Sequence, residues 1–355
     1  LNRSKEKNKA VKRILVLRFS SIGDIVLTTP VLRCLKRKYP DAAIHYFTKK
    51  NFASLLLPNP YIAEVHTLSE DLSADIAALK AINFDMVVDL HHNLRTLRVK
   101  QALGVKQTYR FPKLNIQKWL YVNLKWNILP PKSIVERYFE PLKNIGVIND
   151  GQGLDFFIPE GKDTSKDDIP MGHWMGYVAC VIGGSFATKQ LPEAKWVALI
   201  NKCPYPVILL GGPEDKDLGA RIAAADPVKV YNACGKFNLL ESADLVRKAR
   251  VVVSNDTGLM HIATAFQKPL VSLWGNTTPW LGMFPYYGAN NLSDVVSPKF
   301  TIEEVQGLKC RPCSKIGYNK CPKGHFKCML DIDIDKAVEH ILALWQQNED
   351  KNITK

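Results

Sequence analysis

Four short stretches hold residues whose types and spacing could do chemistry. Leu17-Arg18-Phe19-Ser20-Ser21-Ile22-Gly23-Asp24 leaves an apolar run and enters a helical pattern. Asp24 has two readings there. It is a first-turn acid that complements the helix dipole, or a general base toward a substrate hydroxyl, with Ser20, Ser21 and the Gly23 amide shaping the loop. Val251 to His261 repeats the order of strand, polar turn and helix. The amides of Thr257, Gly258 and Leu259 would form an anion site suited to a diphosphate, aided by the Thr257 hydroxyl. Asp256 would repel such an anion, so it reads as a cap or loop organiser. His261 reads as a packed core histidine or as a donor to a leaving group. Gly183-Gly184-Ser185-Phe186-Ala187-Thr188-Lys189 lets backbone approach a phosphate while Lys189 supplies a point charge. Gly211-Gly212-Pro213-Glu214 sets Glu214 near ribose hydroxyls. None of these loops has the spacing of a G-x-G-x-x-G fingerprint or the lysine of a P-loop. Each acid or lysine alone reads more simply as surface, but at successive strand ends they converge.

Those strand ends belong to an alternating pattern. Strands are expected at Ile14–Leu17, Ile44–Phe47, Val65–Leu68 and Met86–Leu90, with helical windows such as Leu72–Lys80 between them. Pro30 lies inside the first helical pattern and should kink or restart it, because it removes one backbone bond. Residues 149–176 are rich in Gly, Asp, Lys and Pro and read as a linker. Alternation resumes through Tyr177–Ile182, Val207–Leu210, Lys229–Tyr231, Val251–Val253 and Leu270–Leu273. The expected fold class is α/β, with two Rossmann-like doubly wound domains facing across a cleft at the carboxyl ends of their sheets. The expected boundaries are 1–160, 175–330 and a C-terminal helix and tail at 331–355, with Asp331, Asp333 and Asp335 capping that helix.

The chain has 355 residues, 46% hydrophobic and 23% charged, which excludes disordered and fibrous classes and suits two domains. No apolar run approaches the ~20 residues of a membrane span. Leu1 to Arg13 is basic without an apolar signal core, so a cytoplasmic chain is expected. A formal charge of +14 calls for an anionic partner, whether nucleic acid, lipid headgroup or phosphorylated substrate. Cys34, Cys180, Cys203 and Cys234 read as reduced core residues. Cys310, Cys313, Cys321 and Cys328, with His325, read either as a structural zinc set or as a loop of free thiols or disulfides. Lysines and Arg311 around them also suit anionic lipid.

Taken in order, the Ser20-Ser21-Ile22-Gly23-Asp24 loop, Lys189 with Pro192-Glu193, Asn255-Asp256-Thr257-Gly258 with His261, and Gly275-Asn276-Thr277-Thr278-Pro279 resemble the bacterial lipopolysaccharide heptosyltransferases, inverting enzymes of the GT-B fold. The resemblance spans both halves. It implies that Asp24 is the catalytic base, that Lys189, Thr257 and Gly258 hold the donor diphosphate, and that Glu214 meets the ribose. It also places Phe237 and Asn238 at the adenine, with Ser185, Thr188, Asp256 and His261 in the donor loops. Asp89 to Arg95 looks like the acceptor-side loop, so Ser21, Gly23, His92, Arg95 and Arg98 fall on the acceptor side. The implied chemistry needs no cofactor or metal: an ADP-sugar donor, an anionic lipopolysaccharide-core acceptor, and peripheral contact with the inner-membrane face. Alternatives are a related transferase with a different nucleotide sugar, a catalytically idle relative, or a basic zinc-containing nucleic-acid-binding protein. Against the last, no helix with clustered basic residues and no aromatic stacking motif is found, so no nucleic acid is expected. The transferase reading also expects an unpaired Asp24.

Overall fold

In the computed structural model, residues 11–288, 292 and 299–353 are described; the basic residues 1–10 of the expected first domain, and 354–355 of the tail, lie outside them. The chain forms two compact units, 1–113 with 135–150, and 114–134 with 151–355.

The first unit is a parallel sheet in the order β3-β2-β1-β4-β5. Its strands are β1 (Arg13–Leu17), β2 (Ala43–Lys49), β3 (Glu64–Leu68), β4 (Met86–Asp89) and β5 (Gln107–Arg110), with helices α1 (Ile22–Val26), α2 (Thr29–Lys38), α3 (Leu72–Ala81) and α4 (Leu94–Leu103) between them. Ile14 to Leu17 are fully buried, as the continuous apolar run of a central parallel strand requires. Pro30 restarts the helix as expected. The first helix closes at Val26, and Thr28 and Thr29 donate their hydroxyls 2.7 Å to the carbonyls of Ile25 and Val26. Pro30 then sits in the first turn of α2, where its missing N–H would lack an intrahelical partner anyway.

Residues 114–134 fall in the second unit, although they lie inside the span expected for the first domain. They carry α5 (Asn115–Leu124); α6 (Ile134–Phe139) follows at the boundary. The second sheet runs β11-β10-β9-β6-β7-β8, all parallel. Its strands are β6 (Val178–Val181), β7 (Val207–Leu210), β8 (Val230–Asn232), β9 (Val251–Asn255), β10 (Leu270–Trp274) and β11 (Phe300–Glu304). Its helices are α7 (Glu193–Lys202), α8 (Lys216–Ala223), α9 (Leu239–Lys248), α10 (Gly258–Ala265), α11 (Lys327–Leu330) and α12 (Ile334–Ile353). The last helix is not a separate tail. Ala337, Ile341, Leu344 and Trp345 are buried among Val178, Leu199 and Val251 of the second unit's core, and Trp345 stacks on Tyr205 at 3.8 Å. No described helix is long and apolar enough to cross a membrane.

Both sheets reverse strand order once. In the first unit the reversal falls between β1 and β4, in the second between β6 and β9. Open parallel sheets bind ligands outside the carboxyl ends of the strands at such points.

Candidate active site

The loop after β1 leaves the sheet at its switch point and delivers Asp24 at the third position of α1. Both readings of Asp24 meet there. The Ser21 amide and hydroxyl donate to Asp24 Oδ2 at 3.1 and 2.9 Å, which is a capping arrangement. The expectation of an unpaired acid is corrected: Arg18 Nη2 lies 2.6 Å from Asp24 Oδ1. Arg18 ends an apolar strand and is itself buried, so its charge must be matched. Besides Asp24 it donates to the carbonyls of Ser20 and Leu90 at 2.7 and 2.5 Å and to the Tyr138 hydroxyl at 3.2 Å. The ion pair is unequal in exposure, 9% for the Arg18 side chain against 22% for Asp24, so the carboxylate remains the reachable partner. Burial pushes the Tyr138 phenol up to about 12, which keeps it a neutral hydrogen-bonding group beside the pair.

The loop after β4 stands across that switch point. Asp89 is fully buried and accepts the backbone amides of His91 and His92 at 3.1 and 2.7 Å, with Lys100 Nζ 2.6 Å from its other oxygen. These bonds shape the loop expected on the acceptor side. The His92 ring is spent on the Phe111 carbonyl at 3.2 Å, whereas Arg95 and Arg98 are exposed on α4 and the Arg95 guanidinium lies 5.6 Å from the centre of the Phe19 ring.

His91, to which the sequence assigns no role, packs edge-on against Phe19. Burial first, then Arg18 and Lys113, lower its pKa from 6.5 to about 4, against smaller opposing effects of Asp24 and Asp89. The unfolded chain takes up this proton near pH 6.5 and the folded one near 4, so the stabilisation is present above 6.5 and is lost as pH falls through that window. The ring is partly exposed and water screens part of the effect, so the loss amounts to about 2 kcal/mol. Thermal stability is therefore expected to fall between about pH 7 and 4.5, with a shallower slope in His91→Gln; equal slopes would discard the assignment.

In the second unit three loops are stitched together at the carboxyl ends of β6, β9 and β10. Lys189 Nζ lies 2.6 Å from Asp256 Oδ2, and the Thr277 hydroxyl donates to the same oxygen at 2.9 Å. Asp256 is thus a loop organiser that holds a lysine. Asn255, fully buried, donates to the carbonyls of Val181 and Ile182 at 3.2 and 3.1 Å and accepts the Leu191 amide at 3.1 Å, locking β9 to β6. Thr257 is the N-cap of α10, and no side chain caps that helix, so its first amides stand at the loop surface. Gly183 is required here: a Cβ would run into the Asp215 carboxylate. His261 is buried one turn into α10.

The other residues expected on the donor side divide. Ser185 and Glu214 are exposed. The Thr188 hydroxyl is consumed inside the fold, donating to the Tyr318 carbonyl at 3.0 Å and accepting the Tyr318 amide at 2.8 Å. Asn238 likewise caps α9, accepting the amides of Leu240 and Glu241 at 2.9 and 3.1 Å, while Phe237 packs against the second core. For these two polar side chains backbone groups, distant in sequence for Thr188 and local for Asn238, supply the partner that a ligand was expected to supply.

The four cysteines of the zinc reading are free, and among the described residues their sulfurs do not form a metal-ligating group. Cys310 Sγ is 3.8 Å from His325 Nε2. The loop is held by Arg311, which donates to the carbonyls of Gly275, Val305 and Thr277 at 2.5, 2.7 and 2.9 Å and pairs with Glu304 at 2.8 Å. A structural zinc is not shown there. The other four cysteines are buried and unbonded, as expected. The described metal-capable group is elsewhere, at His45, Glu64 and His66 on β2 and β3. Burial lowers the pKa of both histidines, and His45 Nδ1 lies 2.9 Å from His66 Nε2, a hydrogen bond that holds the two rings together.

Two parallel-sheet α/β units, each with polar loops at the switch point of its sheet, are the architecture of the GT-B class of glycosyltransferases. The chain belongs to glycosyltransferase family 9 (heptosyltransferase), whose profile matches residues 74–297. It is similar to lipooligosaccharide heptosyltransferase 2 of Haemophilus influenzae, 24% identical, across 93% of this chain and 99% of that protein. Among solved structures it is similar to Escherichia coli ADP-heptose lipopolysaccharide heptosyltransferase II, with TM-score 0.70 and 20% identity over 95% of this chain and 99% of that one. The E. coli heptosyltransferase WaaC with ADP-2-deoxy-2-fluoro heptose gives TM-score 0.63 and 20% identity over 85% and 96% of the two chains.

Proposed function

We propose that this glycosyltransferase moves a heptose from ADP-heptose to a lipopolysaccharide-core acceptor, with inversion and without a metal, as a peripheral protein of the inner-membrane face. The observation that carries the reading is the Lys189–Asp256–Thr277 arrangement beside the uncapped N-terminus of α10. It sets one fixed cation and several amides where a leaving diphosphate gathers charge. Asp24 takes the proton of the acceptor hydroxyl as that oxygen bonds to the anomeric carbon. The bond from that carbon to the diphosphate breaks on the opposite face, and ADP departs with the electron pair. Arg18 fixes the direction of the accepting carboxylate. The acceptor hydroxyl becomes acidic only as the new bond forms, so a well-aimed carboxylate suffices. Arg95 and Arg98, exposed on α4, suit acidic sugars or phosphates of the acceptor. The ADP-2-deoxy-2-fluoro heptose that accompanies WaaC supports the donor class.

Thermal stabilisation by a panel of nucleotide sugars tests the reading. ADP and ADP-heptose at about 100 times their dissociation constants are expected to raise the melting temperature by roughly 5–10 °C, since such saturation adds about 2.7 kcal/mol. UDP- and GDP-sugars at the same concentrations should leave it in place. A response to UDP- or GDP-sugars without one to ADP would assign a different donor, and silence toward every donor would remove the reading.

A further inference from the structure

The segment from Asn115 to Ile128 has no assigned role, yet five of its large apolar side chains are exposed. None of the ten residues of α5 is buried. Ile116 is 75% exposed, Trp119 56% and, just past the helix, Trp126 61%. Leu124 and Ile128 are also exposed. Ile116, Trp119 and Asn123 lie at helical spacing on one face, while the opposite face is fastened to the second unit. There the Tyr121 hydroxyl meets the Thr278 hydroxyl at 3.1 Å, and Lys125 Nζ donates to the carbonyls of Cys310 and Pro312 at 3.3 and 2.7 Å. The apolar face is therefore presented on a helix that is already formed and pinned.

We infer that the outer face of α5, with Trp126 and Ile128 after it, is the surface by which this protein lies on an anionic lipid bilayer. This deepens the proposed function and rests on it for the nearness of a lipid-linked acceptor. Charge selects the occupant. No aspartate or glutamate stands between Asp89 and Glu136, whereas Lys118 lies within the apolar stretch and Lys132 follows it. Tryptophan interleaved with lysine suits the boundary between headgroups and acyl chains, where the ring enters and the cation stays with phosphate. A second copy of the chain fits poorly, because a self-complementary face would set these lysines against one another. The cationic cysteine loop and the C-terminal helix, the surfaces that sequence suggested for lipid, are less suited. The first lacks the exposed tryptophans, and the second turns its apolar side into the core.

Flotation of the full chain with vesicles tests the surface. The wild type is expected to float with vesicles of equal phosphatidylglycerol and phosphatidylethanolamine, to stay behind with pure phosphatidylcholine, and to be released by salt. Combined Ile116→Ser, Trp119→Ser and Trp126→Ser should lower the bound fraction about tenfold or more, and Lys118→Gln about fivefold. The substituted side chains are exposed, and unchanged circular dichroism and melting temperature would verify that the triple variant folds. A triple variant that floats like the wild type overturns the inference, as does equal wild-type flotation on phosphatidylcholine. A wild-type dimer that the triple variant breaks, with flotation unaltered, also overturns it and gives the face to a second copy. Donor-induced stabilisation on the same preparations separates the two proposals. Donor silence with normal flotation fails the transfer reading alone, and a donor response with unaltered flotation of the triple variant fails the surface alone.

Discussion

Asp24→Asn is expected to lower kcat for sugar transfer by about 10²- to 10⁴-fold, the range typical of losing a positioned general base. The substitution also touches the fold, and the two effects separate cleanly. Arg18 is buried and would keep its bonds to the carbonyls of Ser20 and Leu90 while losing the anion that matches its charge. Breaking a fully buried pair costs about 3–5 kcal/mol. Asp24 is 22% exposed, so water screens part of the loss and about 2 kcal/mol is expected. The chain should therefore melt several degrees lower yet be fully folded at room temperature. ADP binding, which the proposed function assigns to residues of the other unit, should stay within about threefold of wild type, since a change of about 1.4 kcal/mol is already tenfold. Single-turnover transfer rates alongside ADP titration decide the matter: a kcat within about tenfold of wild type, with the protein folded, removes Asp24 as base.

Lys189→Met should produce a loss of about 10²- to 10³-fold in kcat, the effect seen when one donor to a developing anion is deleted. Unlike the Asp24 substitution it should also weaken ADP. The Lys189 ammonium is 17% exposed and already neutralised by Asp256, so an arriving diphosphate must share it. That sharing keeps the resting loop from holding a bare cation, and it lets the cation strengthen its hold as the leaving group gains charge. Removing the lysine leaves Asp256 facing the diphosphate with only the Thr277 hydroxyl on it, so repulsion is added to the lost attraction. Asp256→Asn keeps the lysine and should cost less than Lys189→Met. If the two rank the other way, or if Lys189→Met binds ADP and turns over as the wild type does, the diphosphate assignment is wrong.

Much of this frame was readable in the chain. Central strands such as β1, β6 and β9 are continuous apolar runs, because parallel strands are covered on both faces and tolerate no alternation. The restart at Pro30 follows from one missing N–H. Strands β5 and β11 were not readable. Gln107-Thr108-Tyr109-Arg110 has the composition of a loop and is a strand because β4 offers it a free edge. α5 escaped notice for a related reason: its apolar residues face outward, so they do not mark a core.

At the site, residue types were legible and their partners were not. Asp24, Lys189 and Thr257 stand out by position after apolar runs. That Arg18 reaches Asp24, that Asp256 holds Lys189, and that Thr188 and Asn238 spend their polar groups on neighbouring backbone are matters of which side chains meet. Thr188 meets Tyr318 across 130 residues of chain, a separation at which spacing carries no signal.

Local chemistry alone therefore determined the α/β class, the polar loops that follow the strand ends, and the basic character of the whole. Apolar periodicity, helix starts and charge are properties of short windows and survive without a fold. Tertiary structure alone decided the company each charge keeps, the membership of residues 114–134 in the second unit, and the outward turn of Trp119. Those depend on long-range burial, where a desolvated charge or an unpaired hydroxyl must find whatever partner the packing brings within reach.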